Sequence, residues 1–157
     1  MFDMLVKLYT LPALESVLAK QTEARVDVRR AQALEKRLVA EWVCQHFSAR
    51  WASECEVAFS GHPISCFVAV ADGKLAGFAC YDATCKGFFG PIGVDEAYRG
   101  RGIGKALLLI CLHAMAVSGY GYAIIGAAGP TEFYAKTVGA SEIEGSAPGV
   151  YRGMLRE

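Results

Sequence analysis

A short segment of alternating glycines and cations, residues 98–109, has the residue types best suited to holding an anion. It reads Y-R-G-R-G-I-G-K-A-L-L-L and lies between an apolar, strand-like stretch at 87–94 and a long apolar run. A glycine turn at the start of a helix leaves several backbone N–H groups unpaired and pointing the same way. Together with the helix dipole and the neighbouring cations, these groups predict a pocket for a diphosphate or a similar anion.

Two common phosphate-binding patterns do not fit this segment. A P-loop needs a hydroxyl residue after its lysine to bind Mg²⁺, but Ala106 follows Lys105, so hydrolysis of a nucleoside triphosphate is not expected. A dinucleotide-binding G-x-G-x-x-G counted from Gly102 requires a third glycine where Leu107 stands, and the segment lies beyond the midpoint of the chain. The anion is therefore expected to belong to another kind of ligand.

The pattern that does fit is R-x-x-G-x-G, running from Arg99 through Gly102 to Gly104. It resembles the acetyl-coenzyme A loop of the GCN5-related N-acetyltransferases (GNAT family). The surroundings agree: a strand ends just before the loop, a helix of about four turns follows, and residues 122–126 and 133–136 resemble the family's fifth strand and final helix. The resemblance covers residues 66–140. It implies acetyl-coenzyme A as a co-substrate.

The resemblance also implies which residues contact the cofactor. The strand would bind the pantetheine arm and the acetyl carbonyl through its main chain, and the loop would hold the pyrophosphate. By match to the family, the cofactor-binding residues are Ile92, Gly93, Val94, Arg99, Gly100, Arg101, Gly102, Ile103, Gly104 and Lys105. The preceding Gly90-Pro91 supports this interpretation, because proline interrupts a strand ladder and glycine permits a bulge. An ordinary bulged edge strand and a simple tight turn are the structural alternatives.

Three residues are candidates for proton transfer, one as the acid and two as the base. Tyr134 matches the family's tyrosine beside the thioester sulfur, and a phenol of pKa near 10 is a suitable acid toward a thiolate whose parent pKa is near 8.5. The alternative is that Tyr134 only packs against neighbouring side chains. Glu54 is the first candidate for the base and Asp82 the second, although either carboxylate can simply be solvated and a water relay is equally open. His113, on the helix after the loop, is expected to be structural.

Composition restricts the class of protein. The 157 residues are expected to form one domain, 1–157, and the 54% of hydrophobic residues allow a substantial core. Sixteen acidic residues balance sixteen basic ones, so neither nucleic acid nor a membrane surface is an expected partner. The sequence shows no apolar run of ~18 residues and no signal-peptide pattern. Six cysteines without C-x-x-C pairing predict reduced core thiols, no metal site and a cytoplasmic location.

The expected fold is a GNAT-like α/β domain with a central mixed, mostly antiparallel, splayed sheet and helices on both faces. We expect strands at 4–9, 64–70, 75–81, 88–94 and 122–126, with an Asp72-Gly73 turn between the second and third. Helices are expected at 12–20 and 28–47, followed by a less regular stretch at 48–61. A last strand is expected at 150–155, and its free edge leaves a homodimer open.

The sequence thus predicts an acetyl-coenzyme A-dependent N-acetyltransferase. A primary amine of a small molecule or of a protein would attack the thioester directly in a ternary complex. The main alternative is a non-catalytic sensor that binds acyl-coenzyme A. A covalent route through Cys80 or Cys85 ranks low, and transfer to oxygen or of a longer acyl chain remains open on the same scaffold.

Overall fold

Seven strands form one open, mixed sheet in the computed structural model, which describes residues 1–156. The strands are β1 (Met4–Lys7), β2 (Val26–Arg30), β3 (Cys66–Ala71), β4 (Lys74–Tyr81), β5 (Phe88–Val94), β6 (Tyr122–Ile125) and β7 (Ser141–Glu142). Their order across the sheet is β2-β3-β4-β5-β6-β1-β7. All neighbours are antiparallel except β5 and β6, which are parallel. The expected fold class is confirmed.

Helices cover both faces of this sheet. They are α1 (Glu15–Glu23), α2 (Lys36–His46), α3 (Ala49–Phe59), α4 (Ile103–Val117) and α5 (Thr131–Val138). The central helix α4 has eight of its 15 residues buried and shares the larger core with α5 and the sheet. A second core lies under α2 and α3 and includes Val43, Phe59 and Phe78. Two separate cores explain why almost every residue of β3 and β4 is buried.

The parallel pair β5 and β6 separates after only two residues. Phe88 pairs with Ile124 and Phe89 with Ile125, and no further pairing follows. Beyond that point β5 continues to Val94 and is paired only with β4. The main-chain groups of residues 90–94 that face β6 therefore have no strand partner on that side. The predicted splay of the sheet is present at this position.

A bulge lies at the point of separation. Ala79 of β4 pairs with Ile92 and Tyr81 with Phe89, so Gly90 and Pro91 together stand opposite one residue of β4. Gly90 has φ of 121°, which side-chain-bearing residues rarely adopt. The bulge predicted from the Gly-Pro pair bends β5 away from the regular ladder.

The helix predicted at 28–47 is wrong in its first third. Residues Val26–Arg30 form β2, which pairs with β3 along its full length. The helix begins only at Lys36, after a 3-10 turn at Ala33–Glu35. Gln32 and Glu35 make a reciprocal capping box there, in which the Gln32 N–H donates to Glu35 Oε1 at 2.8 Å. This cap breaks what reads in the sequence as one continuous apolar periodicity.

The stretch at 48–61, expected to be irregular, contains the regular helix α3. Its start is marked by Ser48, whose Oγ accepts a hydrogen bond from the Trp51 N–H at 3.1 Å. A serine N-cap of this kind satisfies one of the free N–H groups in the first turn. The helix then buries Cys55, Ala58 and Phe59 against the sheet.

The last strand predicted at 150–155 is also absent. Gly149–Tyr151 forms a 3-10 turn, and the chain from there to residue 156 makes no ladder. The sheet position next to β6 is taken by the N-terminal strand β1, which pairs with β6 on one side and β7 on the other. A homodimer was considered because a strand at 150–155 would have had a free edge. These residues form no such edge.

Candidate functional site

A cleft of about 770 Å³ opens where β5 and β6 separate. One wall is the bulged part of β5, from Phe89 to Ile92, and another is the connection between β6 and α5. The remaining walls come from the first turns of α3, from residues 83–85 after β4, and from Val150, Tyr151 and Met154 near the C-terminus. Elements distant in sequence thus enclose one continuous space.

Residues Ile92, Gly93 and Val94 complete β5. The side chains of Ile92 and Val94 pack against the larger core, so only their main chains are offered to the gap. Gly93 faces the opposite side, where an added Cβ would come within 2.4 Å of the Phe47 ring. The Phe47 ring therefore packs directly against Gly93.

The glycine loop leads directly into the N-terminus of α4. Gly100 and Gly102 have φ of 79° and 78°, so both use the left-handed conformation that favours glycine. The first main-chain bond of the helix is from the Ala106 N–H to the Gly102 carbonyl. Three earlier N–H groups, those of Ile103, Gly104 and Lys105, have no main-chain acceptor among the described residues. Unpaired N–H groups at a helix N-terminus favour an anion, so this segment stays the predicted anion-binding loop.

The cations of the loop are exposed and close to β5. The Nε of Arg99 donates to the Val94 carbonyl at 3.3 Å, which ties the loop to the end of the strand. The guanidinium of Arg101 lies over the Tyr98 ring, 5.2 Å from its centroid. Lys105 is exposed on the first turn of α4. Unpaired N–H groups and three exposed cations therefore belong to the same short segment.

Tyr134 lies at the inner end of the cleft. Its side chain is 5% exposed and packs edge-on against Phe89 and Phe133. No group among the described residues hydrogen-bonds its hydroxyl, although the ring lines the cleft. Burial raises the pKa of Tyr134 to about 12, because the phenolate would lose its hydration. The phenol is therefore protonated at neutral pH and able to donate.

Glu54 lines the same cleft from α3. Its carboxylate accepts a hydrogen bond from the Thr84 hydroxyl at 2.5 Å. That bond holds the side chain across the cleft from α5. The structure thus brings two of the three predicted proton-transfer candidates, Tyr134 and Glu54, to one space although they are 80 positions apart in sequence.

The other candidates lie elsewhere or have structural partners. The Asp82 carboxylate accepts hydrogen bonds from the Gly87 N–H and the Tyr120 hydroxyl, which closes the loop before β5. His113 Nε2 lies 2.8 Å from the Pro12 carbonyl. Cys80 is fully buried in the core, whereas Cys85 lines the cleft.

Two cleft features were missed in the sequence. Tyr151 lines the cleft, and its pKa is raised to about 12, first by burial and then by the charges of Glu54, Asp3 and Cys85. Asp3 accepts a hydrogen bond from the Ala127 N–H at 2.7 Å and so holds the connection that forms one wall. Neither residue lies in a motif, so only the tertiary structure reveals them.

The three thiols of Cys55, Cys66 and Cys80 also meet, in the core under α3. Their sulfur atoms lie within 4.8 Å of one another, and all three side chains are fully buried. Burial raises the pKa of Cys80 well above its ordinary value. The group packs with apolar residues of the second core.

Comparison with known families agrees with this geometry. The sequence model described as the acetyltransferase (GNAT) family matches residues 31–139. The chain belongs to this family. Acetyl transfer is the general chemistry of this family, and acetyl-coenzyme A is the donor that its members typically use. The matched region contains β5, the glycine loop, α4 and α5, which together carry the expected cofactor side of the cleft.

Solved structures with the same fold include a GCN5-related glucosamine N-acetyltransferase region of a fungal multidomain β-N-acetylglucosaminidase (TM-score 0.73, 14% identity). Two others are GCN5-related N-acetyltransferases. One is from Sphaerobacter thermophilus (TM-score 0.66, 22% identity) and the other from Kribbella flavida (TM-score 0.55, 17% identity). Each alignment covers 90% of this chain but only 19%, 48% and 53% of the respective neighbour. At these identities the likeness shows the fold alone.

No curated protein matches the sequence. In the part of the chain that the structure describes, no helix has the length and apolar character needed to cross a membrane.

Proposed function

We propose that this protein is an acetyl-coenzyme A-dependent N-acetyltransferase whose acceptor is a primary amine of a small molecule or of a protein. The observation that carries the proposal is the shared cleft at the splay of β5 and β6. It is lined by a protonated phenol, Tyr134, and a carboxylate, Glu54, and β5 continues from it toward the cationic glycine loop. A thioester held along β5 would have its reacting carbon between these two groups.

The cofactor side follows from the free main-chain groups. The N–H groups at the start of α4 and the cations Arg99, Arg101 and Lys105 would hold the pyrophosphate. Residues 92–94 would hydrogen-bond the pantetheine arm through main-chain groups that β6 leaves unpaired. The same strand would offer an N–H to the acetyl oxygen, which becomes negative in the tetrahedral transition state. Acetyl-coenzyme A is a co-substrate in this scheme.

The chemistry requires a base for the amine and an acid for the leaving thiolate. The acceptor amine, protonated at neutral pH, first loses a proton to Glu54, directly or through water. The neutral nitrogen attacks the acetyl carbon, a C–N bond forms, and the C–S bond breaks. Tyr134 donates its proton to the leaving thiolate, and the second proton released by the attacking nitrogen restores the phenol through solvent. Glu54 releases the first proton to solvent, so both residues return to their starting states. The acetyl group passes directly to nitrogen, without an acyl-enzyme.

We further propose that residues 1–157 act as one catalytic domain. The sheet includes β1, which begins at Met4, and β7, which ends at Glu142. The cleft is lined by Met1 at one end of the chain and Met154 near the other. Both ends of the chain therefore contribute to the same site.

The test is amine-dependent release of coenzyme A thiol from acetyl-coenzyme A, measured with a panel of primary amines. Glu54→Gln is expected to lower kcat by about 10²-fold, the usual scale of general-base catalysis. The matched control is Glu56→Gln, on the same helix but outside the cleft, and it should leave turnover unchanged. Tight binding of acetyl-coenzyme A with no release for any amine would instead show a sensor.

A further inference from the structure

We infer that Gln21, on α1, is a positioning residue for the pyrophosphate-binding loop. The inference rests on the proposed function, since it assigns a role in binding coenzyme A. Gln21 lies outside residues 31–139, the part of the chain that matches the family. Its side chain is only 2% exposed, which is unusual for a polar amide. A buried glutamine at this place therefore requires a physical explanation.

The side-chain amide of Gln21 contacts the loop directly. Its Nε2 donates to the Arg101 carbonyl at 2.9 Å. A Cβ added at Gly102 would lie 3.2 Å from the same nitrogen, so the amide sits directly beneath the peptide that joins residues 101 and 102. The hydrogen bond fixes that peptide from the protein interior.

The direction of this bond determines where the next N–H points. In a planar trans peptide the carbonyl and the following N–H point in opposite directions. Because the Arg101 carbonyl is drawn inward to Gln21, the Gly102 N–H must point away from the core. That is the side on which the free N–H groups at the start of α4 receive an anion. Gln21 thus preorganises one donor of the loop.

The second amide atom argues against a simple packing role. The Gln21 Oε1 is buried and accepts no hydrogen bond, and it is the one such side-chain atom found within residues 1–156. A buried acceptor without a partner destabilises the folded state. An apolar side chain of similar size would remove this cost, so stability alone does not account for glutamine. Holding the loop does account for it, as polar groups retained at a cost to stability are typical of functional sites.

The test compares Gln21→Met, which keeps the length of the side chain, with the control Gln45→Met on the exposed face of α2. Coenzyme A binding is measured by calorimetry, KM and kcat by thiol release, and stability by thermal unfolding. For Gln21→Met we expect Kd for coenzyme A and KM for acetyl-coenzyme A to rise about 3- to 10-fold, the effect of one lost hydrogen bond. The values of kcat and of KM for the amine should not change. Tm should change little, because loss of the bond to the Arg101 carbonyl opposes the gain from removing the unpartnered Oε1.

A second variant tests the hydrogen bond itself. In Gln21→Glu an ionised carboxylate cannot donate to the Arg101 carbonyl, whereas a protonated one can. Its Kd relative to that of the wild type should therefore recover as the pH falls, and Gln21→Met should show no such recovery.

Three results would overturn the inference. Unchanged affinity in Gln21→Met would show that the loop does not depend on the amide. A joint fall in affinity and Tm would assign Gln21 a packing role. Absence of coenzyme A binding by the wild-type protein would refute the proposed function itself, and with it the inference.

Discussion

Replacing Tyr134 by phenylalanine removes the phenolic hydroxyl and keeps the ring, so it tests the role of the hydroxyl alone. The ring contacts with Phe89 and Phe133, at centroid distances of 6.5 and 5.2 Å, are kept. No hydrogen bond to a described residue is lost, because the hydroxyl has none. Removing a hydroxyl that bonds no described residue should leave the free energy of unfolding unchanged or raise it by about 1 kcal/mol. Tyr134→Phe is therefore expected to fold as well as the wild type.

The effect on turnover should be much larger. Loss of a general acid costs about 10²- to 10⁴-fold in rate, which corresponds to about 2.7–5.4 kcal/mol in the activation barrier. We expect kcat to fall by at least about 10²-fold while KM for acetyl-coenzyme A changes little. An acetyl thioester with a more acidic thiol should reduce this difference, because its thiolate leaves without a proton donor.

The pH dependence gives an independent check on Tyr134. Because burial raises its pKa to about 12, the phenol stays protonated through neutral and moderately alkaline pH. Loss of this acid should therefore not lower the wild-type kcat until the pH approaches that value. Tyr120→Phe is the control, since its hydroxyl bonds Asp82 outside the cleft; it should lower stability and leave kcat unchanged. A kcat for Tyr134→Phe within about threefold of the wild type would refute the assignment.

Three further outcomes concern the framework of the site. Gly93→Ala places a Cβ within 2.4–2.8 Å of atoms of the Phe47 ring and should lower the free energy of urea unfolding by about 1–3 kcal/mol; an unchanged midpoint would contradict the close packing. Asp3→Ala removes a carboxylate that accepts a main-chain N–H at 2.7 Å and should cost about 1.5–3 kcal/mol in the same assay. Arg29 lowers the pKa of Glu35 in the folded protein to about 2. As the pH drops from about 4.5 to 2, Glu35 is therefore protonated in the unfolded state before it is protonated in the folded state. Stability falls over this pH range as a result. The Arg29–Glu35 ion pair is partly exposed, so this loss of stability should be under about 1 kcal/mol. In acid titrations of stability, Glu35→Gln should abolish the loss.

The middle of the chain was predictable because its local signals agree with one another. Asp72 and Gly73 have φ of 52° and 72°, as a tight hairpin between β3 and β4 requires. The glycine loop and α4 follow β5 as the sequence indicated, since glycines at 100 and 102 must take left-handed conformations there. In these segments backbone conformation is set by residues within a few positions.

The first third of the chain was less predictable because two periodicities coincide. Val28 and Ala31 fit a helical spacing with the apolar residues that follow. Val28 also belongs to β2, in which buried Val26 is followed by exposed Asp27, and Ala31 comes directly after this strand. The pairing of β2 with β3, some 40 residues later, decides between the two and cannot be read locally. The caps at Gln32 and Ser48 were the sequence signals that would have separated the elements.

The site itself shows the same division between local and distant information. The loop could be predicted because the anion binding proposed for it would depend on consecutive main-chain N–H groups. Tyr134 and Glu54 could be named from the sequence, but their presence in one cleft depends on how α3 and α5 pack on opposite sides of the splay. Tyr151 reaches the cleft only because the chain after β7 turns back across it.

The N-terminal segment before residue 31 supports the cleft at both ends. At one end, Asp3 binds the Ala127 N–H and the Phe2 carbonyl accepts from the Ala128 N–H, which fixes the connection leading to Tyr134. At the other end, Gln21 holds the Arg101 carbonyl. These contacts join the proposed acid, Tyr134, and the glycine loop through one short segment that β1 anchors beside β6. The spacing between the two ends of a bound thioester would thus depend on residues that the family match does not include.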